Sequence, residues 1–195
     1  MPNVDRIVAN AGEENYKVTF TVPAGYSATK SYAAADGEKD SNGTESSVTL
    51  TEGQNDETVD FGLVADGKIG DTIFWDVDNN GGSAPSGADK PLAGVKVTLT
   101  YTTPAGVEKT LTTTTDENGK YSFENLAPGD YTVTVDKDSL ATACPECTAQ
   151  SHAPSGDVKA SENQTLSLSS KVTLTPTSMT NEDQDWAFTA AADTA

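Results

Sequence analysis

The run Val95-Lys96-Val97-Thr98-Leu99-Thr100-Tyr101 alternates apolar and polar side chains at every step. A period of two sends successive side chains to opposite faces of an extended strand. One face of such a strand is built for burial and the other for water. Tyr131-Thr132-Val133-Thr134-Val135 repeats the pattern. Between them Thr103-Pro104-Ala105-Gly106 turns the chain, and residues 107–115 return it as a hairpin. Asp116-Glu117-Asn118-Gly119 and Ala127-Pro128-Gly129-Asp130 are further turns, rich in residues that tolerate tight backbone angles. Strands are expected over 69–75, 95–101, 107–115, 121–123, 131–135, 165–175 and 184–189. Roughly seven short strands joined by turns argue for an all-β, two-sheet sandwich. Thr and Val, which favour strands, are heavily used, and no long stretch has apolar spacing of three and four. Hydrophobic residues at 35% still allow cores in β-rich units.

Two stretches of the chain resemble each other. Asn15-Tyr16-Lys17-Val18-Thr19-Phe20 parallels Asp130-Tyr131-Thr132-Val133-Thr134-Val135. Ser46-Ser47-Val48-Thr49-Leu50-Thr51 parallels Ser170-Lys171-Val172-Thr173-Leu174-Thr175. Asp60-Phe61-Gly62-Leu63 and Asp185-Trp186-Ala187-Phe188 close the two copies. Matching order and spacing mark an internal repeat. The stretch from Ile69 to about Gly129 has no counterpart before residue 15. The expected organisation is therefore a partial unit over 1–65, a complete unit over 66–190 and a tail over 191–195. A half-sandwich would leave strand edges unprotected, so a fragment of a longer array is the favoured reading of residues 1–65. The short linker Ala65-Asp66-Gly67-Lys68 makes neighbouring repeats of the same chain the first expected partners.

The formal net charge is −18. Residues 1–65 carry 4 basic and 11 acidic groups, or −7, and the remainder carries 8 and 19, or −11. Both parts are acidic, which argues against nucleic acid and anionic membrane surfaces as partners. No run of 18 apolar residues encodes a membrane span. Met-Pro-Asn-Val-Asp-Arg lacks the basic start and apolar stretch of a signal peptide, so signals for export are expected outside this segment.

Ile69-Gly70-Asp71-Thr72-Ile73-Phe74-Trp75 is followed by oxygen side chains at every second position: Asp76, Asp78 and Asn80. Gly81 then permits a sharp turn. Three oxygen donors curled around one point suit a hard cation, and calcium is the expected one. The competing reading is a polar turn rich in Asx residues. Asp36, Asp40 and Asn42 form a second oxygen cluster and a candidate second site. Asp116 and Asn118 read as turn residues. No nucleophile elbow, zincin signature, phosphate-binding loop or nucleotide fingerprint is present, and the chain is not expected to be an enzyme.

The motifs, taken in order, resemble the B repeats of Sdr-type surface adhesins. Ile69-Gly70-Asp71, Asp76-x-Asp78-x-Asn80-Gly81, Pro91-Leu92-Ala93-Gly94-Val95, Thr115-Asp116-Glu117-Asn118-Gly119-Lys120-Tyr121 and Leu126-Ala127-Pro128-Gly129-Asp130-Tyr131 carry the likeness. Asp40-Ser41-Asn42-Gly43, Val48-Thr49-Leu50 and Val59-Asp60-Phe61-Gly62 resemble the closing half of the same repeat. These repeats belong to the Cna B-like, immunoglobulin-like or prealbumin-like β-sandwiches. The resemblance implies a rigid, calcium-binding stalk in an extracellular, wall-attached bacterial protein. It places calcium ligands on Asp76, Asp78, Asn80 and Asp89. Asn80 stands where the family has a third loop acid, and residues 82–88 lack the acid often found there, which implies a weaker site. Asp89 also comes two places too late for an EF-hand.

Cys144-Pro145-Glu146-Cys147 lies in an insertion: Tyr131 to Val172 spans 41 residues, whereas Tyr16 to Val48 spans 32. In an oxidising compartment a small disulfide between Cys144 and Cys147, pinning an exposed loop, is the favoured reading. Free thiols, and a zinc site formed with His152 and Asp157, remain open. A redox pair would need a helix N-terminus, which the surroundings do not offer. Three functions are carried forward: a calcium-stabilised spacer, a module binding a host protein or glycan through residues 139–163, and an accessory sandwich of an extracellular hydrolase. Related pilin-type sandwiches crosslink Lys to Asn or Asp beside a buried acid. That acid falls on Val135 and Phe20, which are apolar. The intact mass is therefore expected to lack the loss of one ammonia or water that such a crosslink leaves; observing that loss would refute the assignment.

Overall fold

A computed structural model describes residues 14–29, 43–161 and 163–191. The candidate second site, Asp36, Asp40 and Asn42, lies outside the described residues. The chain divides into two compact units, Met1–Ala65 and Asp66–Ala195.

In the first unit β1 (Glu14–Thr19), β2 (Tyr26–Ala28), β3 (Glu45–Leu50) and β4 (Leu63–Ala65) form two antiparallel pairs, β1 with β3 and β2 with β4. Val48 and Leu50 are buried against Tyr16, Val18 and Val59. Phe20 stacks on Phe61 with ring centroids 5.1 Å apart.

The second unit begins with β5 (Gly67–Trp75), so Asp66 alone separates β4 from β5 and the four-residue linker read from sequence is mostly strand. Then follow β6 (Lys90–Pro91), β7 (Lys96–Thr102), β8 (Glu108–Thr114), β9 (Lys120–Leu126) and β10 (Gly129–Val135). A single described helix, α1 (Lys137–Ala143), precedes β11 (Ala149–Ala153), β12 (Gly156–Asp157), β13 (Ser169–Leu174), β14 (Thr180–Asn181) and β15 (Trp186–Thr189). One sheet has the order β13-β10-β7-β8, antiparallel throughout. The other has the order β12-β11-β15-β5-β14, with β6 and β9 also on β5. The protein is thus an all-β sandwich. Alternation does the work in the first sheet. Val97, Leu99, Tyr131, Val133, Val135, Val172 and Leu174 turn inward to meet Ile69, Ile73, Phe123, Trp186 and Phe188 of the second sheet in one core.

Strand β5, Gly-Lys-Ile-Gly-Asp-Thr-Ile-Phe-Trp, is central, and none of its residues is exposed although it includes Lys68, Asp71 and Thr72. Its first half pairs antiparallel with β9 and parallel with β14; its second half pairs antiparallel with β6 and parallel with β15. Ile69, Ile73 and Phe74 are fully buried. At the opposite extreme β8, Glu-Lys-Thr-Leu-Thr-Thr-Thr, is an edge strand almost wholly exposed. Its charges and threonines blunt an open edge.

The turn ahead of β9 needs its glycine. Asp116 Oδ1 accepts from the amides of Asn118 and Lys120, closing an Asx turn as the sequence suggests. Gly119 follows at φ 73°, and a Cβ there would lie 2.4 Å from the Ile73 carbonyl oxygen. That carbonyl and the Ile73 amide are both engaged, by Leu92 and Gly119 respectively.

The sequence repeat persists in register. Tyr16 faces Val48 across β1 and β3, and its counterpart Tyr131 faces Val172 across β10 and β13. One pair further, the Thr49 hydroxyl donates to Asn15 Oδ1 and the Thr173 hydroxyl donates to Asp130 Oδ1, each at 2.6 Å.

The insertion departs from expectation. Residues 139–163 are not an exposed loop: they hold most of α1, β11 and β12, and every residue of β11 is buried. β11 adds to the sheet beside β15, with a bulge between Gln150 and His152. The sequence Ala-Gln-Ser-His-Ala has no β-branched residue, so neither strand propensity nor alternation announced it. Asp136 caps α1, accepting from the Ser139 amide, and Leu140 anchors the helix in the core.

Asp185 is buried just before β15 and accepts from the Thr72 amide at 3.3 Å. Burial, joined by the charge of neighbouring Asp71, pushes its carboxyl up to about 7. An acid raised on folding holds its proton more tightly in the folded state. Its contribution to stability is therefore full below about pH 4 and is lost as pH rises toward 7. Asp185→Asn is expected to flatten the fall in stability between pH 4 and 7 in urea denaturation. An unchanged pH profile would refute this assignment.

Candidate metal centre

The end of β5 delivers the first candidate ligand. Trp75 pairs with Phe188 of β15 on one side and Lys90 of β6 on the other, and the next amide, Asp76 N–H, donates to the Phe188 carbonyl at 2.8 Å. Asp76 is thus fixed by the sheet itself, and it is fully buried. Its Oδ1 accepts from the Asn80 amide at 3.1 Å and its Oδ2 from the Gly81 amide at 2.9 Å. Burial pushes its carboxyl up, but hydrogen bonds from the Ser151 side chain and the Gly81 and Asn80 amides outweigh it, leaving the group below the ordinary carboxylate range.

The intervening loop curls because its backbone turns left-handed at Asn79, Gly81, Gly82 and Gly87. Asn is among the few side chains that enter this region readily, and glycine does so freely. The pairing of β5 with β6 then returns the chain, so that Asp89 arrives beside its start. Asp89 Oδ1 accepts from the Val77 amide at 3.1 Å and Oδ2 from the Ser86 amide at 2.7 Å, which staples both ends of the loop together.

The result is a group of three carboxylates. Asp76, Asp78 and Asp89 each offer an oxygen, and these oxygens lie within 4.8 Å of one another. Asp76 is buried, Asp89 half-buried and Asp78 exposed. The structure therefore brings together three of the four residues singled out in sequence. The fourth, Asn80, contributes its amide to Asp76 and directs its side-chain Nδ2 to Ser86 Oγ at 3.2 Å. The donor set is all oxygen, as a hard cation requires. Unit charges at this separation repel by about 1 kcal/mol per pair in water and several times that near a protein surface.

The remaining candidates are arranged differently from a zinc site. Cys144 and Cys147 are joined by a disulfide, with Cα atoms 5.3 Å apart, and no free cysteine remains. Both sulfurs lie in the core at the C-terminal end of α1 rather than at a helix N-terminus. His152 is turned instead to Asp157, with Nδ1 2.7 Å from Oδ1. The same Asp157 Oδ1 accepts from the Gly82 amide at 2.9 Å. The His152 contact and this amide hold the Asp157 carboxyl below its ordinary value. Sequence reasoning paired His152 with Asp157 for the wrong chemistry, and nothing local linked either to the loop.

The SdrD B-like domain family model matches residues 9–63 and 67–189. A fibrinogen-binding protein of Staphylococcus epidermidis is 39% identical over 129 residues, which is 65% of this chain and 11% of that protein. A bone sialoprotein-binding protein and a serine-aspartate repeat-containing protein E, both of Staphylococcus aureus, are each 41% identical over 123 residues. Those alignments cover 62% of this chain and 10% of each relative. The chain spans about a tenth of the length of the curated relatives it matches. Among solved structures, the major plantain pollen allergen Pla l 1 superposes with a TM-score of 0.39 at 15% identity, covering 67% of this chain and all of that one. The major pilin subunit of Bacillus cereus gives 0.33 at 15% identity, over 92% and 60%. Among the described residues no helix is long and apolar enough to cross a membrane.

Asp76 ties the loop to the sheet whether or not an ion is present. In chelator, Asp76→Ala is expected to lower stability by about 2 kcal/mol, because the Asn80 and Gly81 amides lose a charged acceptor. Urea denaturation measures this, and an unchanged midpoint would show that the carboxylate does not hold the loop.

Proposed function

The chain belongs to the SdrD B-like domain family, and from that premise we propose that it is a calcium-stabilised spacer repeat of a bacterial cell-surface adhesin. The observation that carries the reading is the convergence of Asp76, Asp78 and Asp89 at the end of the central strand. Each part of the chain has a definite task. β5 and β15 hold Asp76; the Asn80 and Gly81 amides aim its two oxygens; Val77 and Ser86 hold Asp89 across the loop mouth. Asp78 projects from the loop into the same space, and Gly87 passes it so closely that an added Cβ would lie 3.4 Å from its Oδ2.

Calcium bound there supplies the positive charge that offsets mutual repulsion of the carboxylates. Binding to the folded state alone stabilises it by about 2.7 kcal/mol at a concentration 100 times the dissociation constant. A site with Asn80 in place of an acid is suited to millimolar calcium outside cells, where dissociation constants of about 10⁻⁴–10⁻³ M suffice. The relatives named above make a secreted, wall-attached setting the natural one. They also make a host-protein ligand for the full-length protein a reasonable assignment, with this unit carrying the binding region rather than forming it. The burial of β11 within residues 139–163 favours the spacer over a binding surface there.

Calorimetric melting tests the reading. With calcium at about 100 times the dissociation constant, the transition of the second unit is expected about 10 °C above that in chelator. Asp78→Asn is expected to erase most of that gain while melting in chelator no lower than the wild type, because it removes one repelling charge. Equal melting temperatures with and without calcium in the wild type would end the proposal.

A further inference from the structure

Asp157 reaches the loop from a different part of the chain, 75 residues away from its partner Gly82. It sits at the end of β12, the short return strand of the β11–β12 hairpin, where it pairs with His152. The hairpin is placed by the sheet. His152 is level with Ala187 of β15, and Ala187 is level with Phe74 of β5, two residues before Asp76. Two strand pairings thus carry the hairpin to the end of the sheet where the loop leaves β5. There Asp157 Oδ1 accepts from the Gly82 amide, and its carboxylate lies 3.4 Å from where a Gly81 Cβ would be. Gly81 is the residue whose amide orients Asp76.

The imidazole completes the arrangement. An ionised carboxylate only accepts hydrogen bonds, so His152 Nδ1 carries the proton it shares with Asp157. His152 is nine-tenths buried within β11 and cannot swing freely, whereas the Asp157 side chain is largely exposed and would wander without it. The ring therefore fixes an otherwise mobile carboxylate against the loop. Groups that hydrogen-bond a metal ligand directly commonly alter affinity by about 10- to 100-fold, and Asp157 acts one step further out, through the Gly81–Gly82 backbone.

We propose that Asp157, oriented by His152, is a positioning residue for the cation loop: it clamps the Gly81–Gly82 turn so that Asp76, Asp78 and Asp89 are gathered before an ion arrives. The insertion, which has no counterpart of equal length in residues 1–65, is on this view a brace for the loop. The inference rests on the calcium reading for its affinity arm only.

The experiment uses the full 195-residue chain and has two arms. Amide exchange followed by NMR in chelator reports the clamp without any ion. Asp157→Ala is expected to speed exchange of the Gly82 amide by about tenfold. Asp157→Asn keeps an acceptor oxygen and is expected to restore most of the protection. Calorimetric titration with calcium is expected to show the same order, with Asp157→Ala weaker by about tenfold, Asp157→Asn near wild type and stoichiometry unchanged. His152→Ala is expected to fall between the wild type and Asp157→Ala in both arms. Unchanged exchange in Asp157→Ala overturns the clamp whatever calcium does. An Asp157→Asn variant as impaired toward calcium as Asp157→Ala, with exchange intact, overturns it in favour of direct ligation by the charged carboxylate. A wild type that binds no calcium removes the cation reading, while the exchange arm still decides for or against the clamp.

Discussion

Strand β5 is the constraint on which the second unit depends. Four strands hydrogen-bond to it, two along each half, and it contributes Ile69 and Ile73 to the core shared with the facing sheet. A strand paired on both sides has no freedom to shift register, since a slip of one residue would break the pairing with all four neighbours at once. The position of Asp76 follows directly, because it is the first residue beyond that fixed ladder. The candidate metal centre is in this sense an extension of the sheet, with the loop added to it.

The same burial has opposite consequences for two acids near β5. Asp76 receives two backbone amides and the Ser151 hydroxyl, and its charged form is favoured despite burial. Asp185 receives one long amide contact and faces another carboxylate, and its charged form is disfavoured. Hydrogen-bond donors, the Ser151 side chain first and the curled loop backbone after it, decide which acid can hold a negative charge. The loop of Asn79, Gly81 and Gly82, with its left-handed residues, is what turns those amides inward.

Much of this was legible along the chain. Alternation in residues 95–101 and 131–135 marked the strands of one sheet, and the repeat of Tyr16 and Val48 in Tyr131 and Val172 carried through to identical cross-strand pairs. The spacing of Asp76 and Asp78 pointed to the loop, and Asp89 was placed by resemblance. What was illegible lies in the insertion. Ala149-Gln150-Ser151-His152-Ala153 is buried on both faces without a hydrophobic pattern, because Gln150 satisfies its own polar groups on His152 and Ser167 rather than avoiding burial. Composition alone made that stretch look like exposed loop.

The sequence by itself determined the all-β class, the turn glycines, the repeat and the run of oxygen donors after β5. These are properties of neighbours a few residues apart, set by backbone geometry and side-chain period. Only the tertiary structure decided that β15 lies parallel to β5, that β11 joins β15, and that Asp157, held by His152, therefore meets Gly82. Those contacts span up to 113 residues and depend on the order of strands in a sheet. Strand order follows from which faces bury together in three dimensions, and no local spacing encodes it.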